Sequence, residues 1–171
     1  MQKITTFLWF DHQAEEAANF YISVFEGRPG ASPGSSKILE VLRYGEAGPG
    51  KAGTVMTVAF QLGGQEFIAL NGGPEYTFTE ALSLFVHCES QEEVDALWSN
   101  LSEGGEEGPC GWLKDRYGLS WQIVPTLLIE LQGDPDPAKS QAVMRAMLQM
   151  GKIDIEGLRR AYQAVGGEGG E

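Results

Sequence analysis

Histidine and cysteine are scarce in this chain, two of each, and acidic residues outnumber basic ones 24 to 12. The two cysteines, Cys88 and Cys110, cannot build a disulfide framework. With no export signal they are expected to be free thiols in a reducing cytoplasm. A formal net charge of -12 argues against a nucleic-acid backbone or an anionic membrane as the main partner. No apolar run approaches the length of a transmembrane helix. The opening MQKITTFLWFD has one lysine, a short apolar run and no small-residue cleavage site, so it reads as a first strand and not a signal peptide. No serine sits in a nucleophile elbow, which leaves a hydrolytic triad without support.

What is present is ordinary globular material: 42% hydrophobic and 21% charged residues over 171 positions, enough for a real core. A β-rich run at 4–10 leads into 14–25, where Ala14, Ala17, Ala18, Tyr21, Val24 and Phe25 recur at helical spacing and Gly27 stops the helix. Strands are expected at 38–44, 54–62 and 66–70, separated by the glycine-rich loop 45–53 and the turn Gly63-Gly64. The pattern then restarts. A strand at 81–88 precedes Ser90-Gln91-Glu92-Glu93, a capping box opening a helix at 92–101. Strands near 111–114 and at 119–124 follow.

The restart has a register. Adding 77 carries Glu15-Glu16-Ala17 onto Glu92-Glu93-Val94, Phe20-Tyr21 onto Leu97-Trp98, Gly27 onto Gly104, Thr6 onto Ser83 and Leu8 onto Phe85. One offset shared by strand, helix and stop glycine indicates an internal duplication. The expected fold is therefore α+β: a βαβββ module at 1–76, a second at 77–130, and a C-terminal extension at 131–171. The extension holds helices at 138–150 and 154–163 and an acidic tail from 166.

The block CGWLKDRYGLSWQIVP, 110–125, reads as an Asp-Arg-Tyr-Gly turn feeding a strand that places the amide of Gln122 among Trp121, Ile123 and Val124. Together with FLWFD (7–11), AEEAANFY (14–21), LGGQEFIALNGGP (62–74) and QEEVDALW (91–98), it resembles the vicinal-oxygen-chelate superfamily. That group includes glyoxalase I, the extradiol dioxygenases and the bleomycin-resistance proteins. Within it, the resemblance is to the 3-demethylubiquinone-9 3-methyltransferase-like (PhnB-like) branch. It spans roughly 5–125, with KIDIEGLRRAY as a further match.

The resemblance implies two modules whose mixed sheets curl around a cavity, often completed by homodimerisation. It also implies metal-ligand positions early in a module's first strand and in its last. In this chain those positions fall on Thr6, Ser83 and Gln122, two hydroxyls and an amide. None is anionic, so no metal and no other cofactor is expected.

By strand parity Thr6, Leu8 and Phe10 are expected to share a cavity face with Ser83, Phe85, His87, Ser120 and Gln122. Asn71, Trp112 and Lys114 join them as ligand-binding candidates, and Trp9, Asp11, Gln65 and Asp115 are contact or scaffold residues. His87 is a candidate general acid or base, or a hydrogen-bonded structural residue. Cys110 is a reactive thiol or a small buried side chain. Lys114 and Asp115 form an ion pair at the rim, or simply start the turn. The leading expectation is a metal-free homodimer binding a small aromatic or apolar molecule. The alternative is an enzyme acting on a quinone-like or aromatic substrate. A metal-dependent lyase or dioxygenase is disfavoured by the donor set.

Overall fold

The structure is a computed structural model describing residues 2–166. The acidic tail expected from 166 falls, past Gly166 itself, outside the described residues. Contacts divide the chain into two compact units, meeting at Phe78 and Thr79.

In the first unit, β1 (Thr6–Phe10), α1 (Ala14–Gly27), β2 (Lys37–Arg43), β3 (Val55–Leu62) and β4 (Gln65–Asn71) follow one another. The sheet order is β1-β4-β3-β2, with β1 parallel to β4 and the other pairs antiparallel. A parallel pair cannot be closed by a hairpin, and α1 begins the crossover that β1 and β4 require. The apolar positions of α1 form one buried stripe, Ala14, Ala17, Ala18, Tyr21, Val24 and Phe25. It packs on Val58, Phe60, Phe67 and Ala69, with the Tyr21 and Phe60 rings 6.5 Å apart. Each large side chain so enclosed contributes about 1.5–3 kcal/mol of burial free energy.

The second unit repeats the plan with β5 (Ser83–Cys88), α2 (Gln91–Ser102), β6 (Glu106–Glu107), β7 (Trp112–Lys114) and β8 (Ser120–Pro125), ordered β5-β8-β7-β6. The chain is thus α+β, built from two βαβββ units with mixed four-stranded sheets. The predicted cap at Ser90 forms: its hydroxyl accepts from Glu93 N at 3.2 Å, and the Glu93 carboxylate accepts from Glu89 N at 2.8 Å.

The two units make the equivalent β-hairpin by different chemistry. Between β3 and β4, Gly63 and Gly64 both take positive φ, 55° and 87°, as a tight two-residue hairpin demands. Between β7 and β8 the work is done by Asp115, which is 2% exposed. Its carboxylate accepts from the backbone of Tyr117 (2.8 Å) and Leu119 (3.1 Å) and from the Trp121 indole N–H (2.8 Å).

After β8 the chain forms α3 (Thr126–Gln132), α4 (Pro137–Met147) and α5 (Ile155–Ala164). Helix α3 is a departure from expectation, as is β6. The run TLLIELQ has no cap signal ahead of it, because Pro125 occupies the N-cap and makes no side-chain bond. Strand β6 is only two residues long and lies among glycines, below the length at which alternation can be read. Val124, Leu128, Val143, Ile153 and Leu158 form the core of this helical extension. Gln91 fastens it to α2, donating to Ile153 O (3.1 Å) and accepting from Ile155 N (2.9 Å). Among the described residues no helix is long and apolar enough to cross a membrane.

Candidate functional site

In the second unit, the strand face turned away from α2 gathers most of the expected ligand-binding residues. Trp121, Ile123 and Leu113 are buried on the α2 side. The alternate positions Ser83, Phe85, His87, Trp112, Lys114, Ser120 and Gln122 point the other way, as the pairings Ser83–Ser120, Phe85–Gln122, Trp112–Gln122 and Lys114–Ser120 require. Phe85 is 44% exposed, and its ring lies 5.0 Å from that of His87. Gln122 Nε2 donates to Ser83 Oγ at 2.9 Å.

Near the outer edge of this sheet lies a recess of about 380 Å³, lined by Glu80, Glu106, Glu107, Gly108, Pro109, Trp112, Leu113, Lys114 and Ser120. Lys114 forms an ion pair with Glu80, not with Asp115. The bond from Lys114 holds the Glu80 carboxyl below its ordinary range, and the same contact raises the Lys114 ammonium above its own. Glu107 accepts from the Trp98 indole at 2.9 Å. Ser120 is fully buried, and its hydroxyl has no hydrogen-bond partner among the described residues.

In the first unit the expected cavity residues of β1 face the helix instead. Leu8 and Phe10, expected at the cavity, are 1% and 3% exposed and sit on the side that packs against α1, with Thr6 on the same side. The outward positions of β1 are Phe7, 55% exposed, and Trp9. The reason is one residue of loop. Cys88 lies 78 positions after Phe10, whereas the N-cap Ser90 lies 77 after Gln13. The link from strand to helix is thus Asp11-His12 in one unit and Glu89 alone in the other. The helices keep the 77-residue register, the strands obey 78, and a one-residue slip exchanges the two faces of a strand. Leu8 therefore corresponds to the half-buried Val86, not to Phe85.

Most of the remaining candidates are occupied by internal bonds. Asn71 Oδ1 accepts from Ala14 N at 2.8 Å, satisfying an α1 terminus that Gln13 leaves uncapped, and its Nδ2 donates to Val55 O at 3.2 Å. Trp9 Nε1 donates to Gly73 O at 2.9 Å, and the indole lies where a side chain on Gly72 would stand. The amides of Gly72 and Gly73 are spent on Phe10 O and Asp11 O. Asp11 pairs with His12 at 3.3 Å on the rim of a second recess of about 770 Å³, which Asn71 also borders. Gln65 is exposed at the start of β4. Cys110 is half-buried with φ 57°, its amide bonded to Met150 O at 2.8 Å.

Metal chemistry finds a poor donor set. Among the described residues, no three of His, Cys, Asp and Glu converge as a metal-binding group. Ser83 and Gln122, neutral and already bonded to each other, do not suit a divalent ion that favours imidazole, thiolate or carboxylate.

Paired βαβββ units, each with a β1-β4-β3-β2 type of sheet, define the glyoxalase/bleomycin-resistance class of fold. The family model described as 3-demethylubiquinone-9 3-methyltransferase matches residues 2–124, and the chain belongs to that family. A PhnB protein of Bacillus cereus, which carries the same designation provisionally, is 43% identical, with 72% of this chain and 99% of that one covered at a TM-score of 0.61. Protein PA1353 of Pseudomonas aeruginosa shares the fold at 20% identity, covering 73% of this chain and 98% of its own, with a TM-score of 0.57. Among curated proteins nothing matches. The family match stops at residue 124, so α3, α4 and α5 lie outside it.

Proposed function

We propose that this protein binds a small aromatic or apolar organic molecule, without a metal ion, on the face of the second sheet formed by β5, β7 and β8. The observation that carries the reading is the exposed Phe85 and His87 beside the Ser83–Gln122 pair, with half-buried Trp112 opposite Gln122. Apolar and aromatic walls with a few fixed polar groups are what a small-molecule site consists of. The paired, uncharged donors at Ser83 and Gln122 support the metal-free part of the reading.

A thermal-shift screen of aromatic, quinone, thiol and antibiotic compounds, run with and without divalent metals, tests both parts. Stabilisation by a compound alone, lost in Phe85→Asp and Gln122→Leu, is the expected result. Stabilisation that appears only with metal overturns it.

The family's methyltransferase label finds little support in the backbone. The glycine-rich stretch 45–53 joins β2 to β3 antiparallel and opens no helix, whereas a dinucleotide-type glycine loop precedes one. Calorimetric titration with S-adenosylmethionine should give no binding, and tight binding would restore the label. Homodimerisation is part of the same proposal. Edge strand β2 exposes Leu39 and Leu42, at 43% and 45%, which favours a covering partner. Sedimentation as a monomer at micromolar concentration would remove it.

A further inference from the structure

We propose that the recess at β6 and β7 selects organic cations, a protonated amine carried on an aromatic or apolar body. The inference rests on the small-molecule reading above and gives that ligand a charge.

Three glutamates, Glu80, Glu106 and Glu107, line the recess against the single lysine Lys114. Glu106, the strand-pairing partner of Lys114, shares its strand face with Lys114 and Ser120. Lys114 is neutralised by Glu80, which leaves Glu106 as the carboxylate without an ion-pair partner on this face. Glu107 stands on the α2 side of the strand, where the uncharged Trp98 indole donates to its carboxylate, so it adds negative charge near the recess from behind the sheet. An anionic ligand would have to pull Lys114 away from Glu80 and sit beside the Glu106 carboxylate. A cation meets neither obstacle. The half-buried Trp112 offers it an aromatic wall, and the net charge of -12 raises the local concentration of cations around the whole chain.

Ser120 is the observation that points to a ligand and not merely to an acidic surface. Ser120 lines the recess, and its hydroxyl is fully buried with no partner among the described residues. A buried hydroxyl without a partner is a standing cost, and this one holds two lone pairs ready for an N–H donor. An ammonium brings three such donors, enough to engage Ser120 and a carboxylate together. The volume of about 380 Å³ is suited to a one-ring amine.

The test uses three probes of nearly the same shape: 2-phenylethylammonium, 2-phenylethanol and phenylacetate. Each is titrated calorimetrically into the full chain at low and high salt. The amine should bind about tenfold more tightly than the alcohol, phenylacetate should be weakest, and added salt should erode the preference. Glu106→Gln, an exposed change that leaves folding intact, should cut the preference several-fold while leaving the alcohol unaffected. Ser120→Ala should weaken the amine several-fold.

Equal or tighter binding of the alcohol or of phenylacetate overturns the charge assignment and leaves small-molecule binding standing. Failure of all three probes, alongside a screening hit sensitive to Phe85→Asp, also overturns the charge assignment alone. If the probes and the screen both come back empty, the two readings fall together.

Discussion

The two units share element order, sheet order and helix register. With their strands matched at 78 residues they turn equivalent sides of the first strand toward the helix, yet they differ in the side chains placed there. In the first, Leu8 and Phe10 are core and Phe7 and Trp9 look outward. In the second, Val86 and Cys88 take the helix side and Phe85 and His87 look outward. The outer strands differ as well: seven and eight residues in β2 and β3, two and three in β6 and β7. The first unit is the more regular sheet. The second is cut short where the acidic recess lies, and it depends on a buried carboxylate where the first needs only two glycines. Topology can thus be repeated faithfully while the chemistry presented by each copy diverges.

The sharpest way to break this comparison is a matched pair of substitutions at positions the 77-residue register treats as equivalent. Leu8→Asp buries an unpaired charge against α1 and should cost roughly 4 kcal/mol or more. Phe85→Asp, on an exposed face, should stay within about 1 kcal/mol. Urea denaturation of the two variants checks this, and equal costs would refute the parity difference.

Next in size is the hairpin contrast. Asp115→Ala strands two backbone amides and the Trp121 indole, and the expected loss is about 3 kcal/mol or more. Gly64→Ala strains one positive-φ position and should cost about 1 kcal/mol or somewhat more. The same denaturation series separates the two.

Ser120→Ala runs the other way. Removing a buried hydroxyl that has no partner should leave the ligand-free protein as stable as before, or more stable by up to about 1 kcal/mol. A clear loss of stability would mean that the hydroxyl is bonded in solution.

The smallest effect belongs to the Glu80–Lys114 pair. Because the folded Glu80 carboxyl sits below its ordinary value, its contribution is present above the usual glutamate range and is lost as pH falls through the lowered value. Lys114, raised, keeps its contribution below the usual lysine range and loses it as pH rises through the elevated value. Both ends are solvent-exposed, so the pair adds little to stability. An NMR titration of Glu80 should show the downward displacement, abolished in Lys114→Met.

Much of this architecture was legible in the residues. The helical stripe of α1, the capping box at Ser90 and the Asp-Arg-Tyr-Gly turn are local patterns, and each formed where its signals stand. The facing direction of β1 was not legible. It depends on whether one residue or two separate strand from helix, and composition does not mark where a strand stops. Asn71 was singled out for its place in a turn, but its use as a cap for a helix 57 residues away is a long-range fact. The partner of Lys114 had the same difficulty: Asp115 is adjacent in sequence, and Glu80 is adjacent in space. The unpartnered Ser120 hydroxyl leaves no trace in sequence at all, since a serine on a strand face is ordinarily satisfied.

The one-residue difference between the strand-to-helix loops shows how a repeated unit absorbs a change in length. Substitutions edit a surface one side chain at a time, and each must be tolerated alone. A connector can instead change by a residue while strand and helix each keep the face they bury. In this chain Phe85 and His87 stand outward where Phe7 and Trp9 do, so equivalent positions present different side chains on the same face.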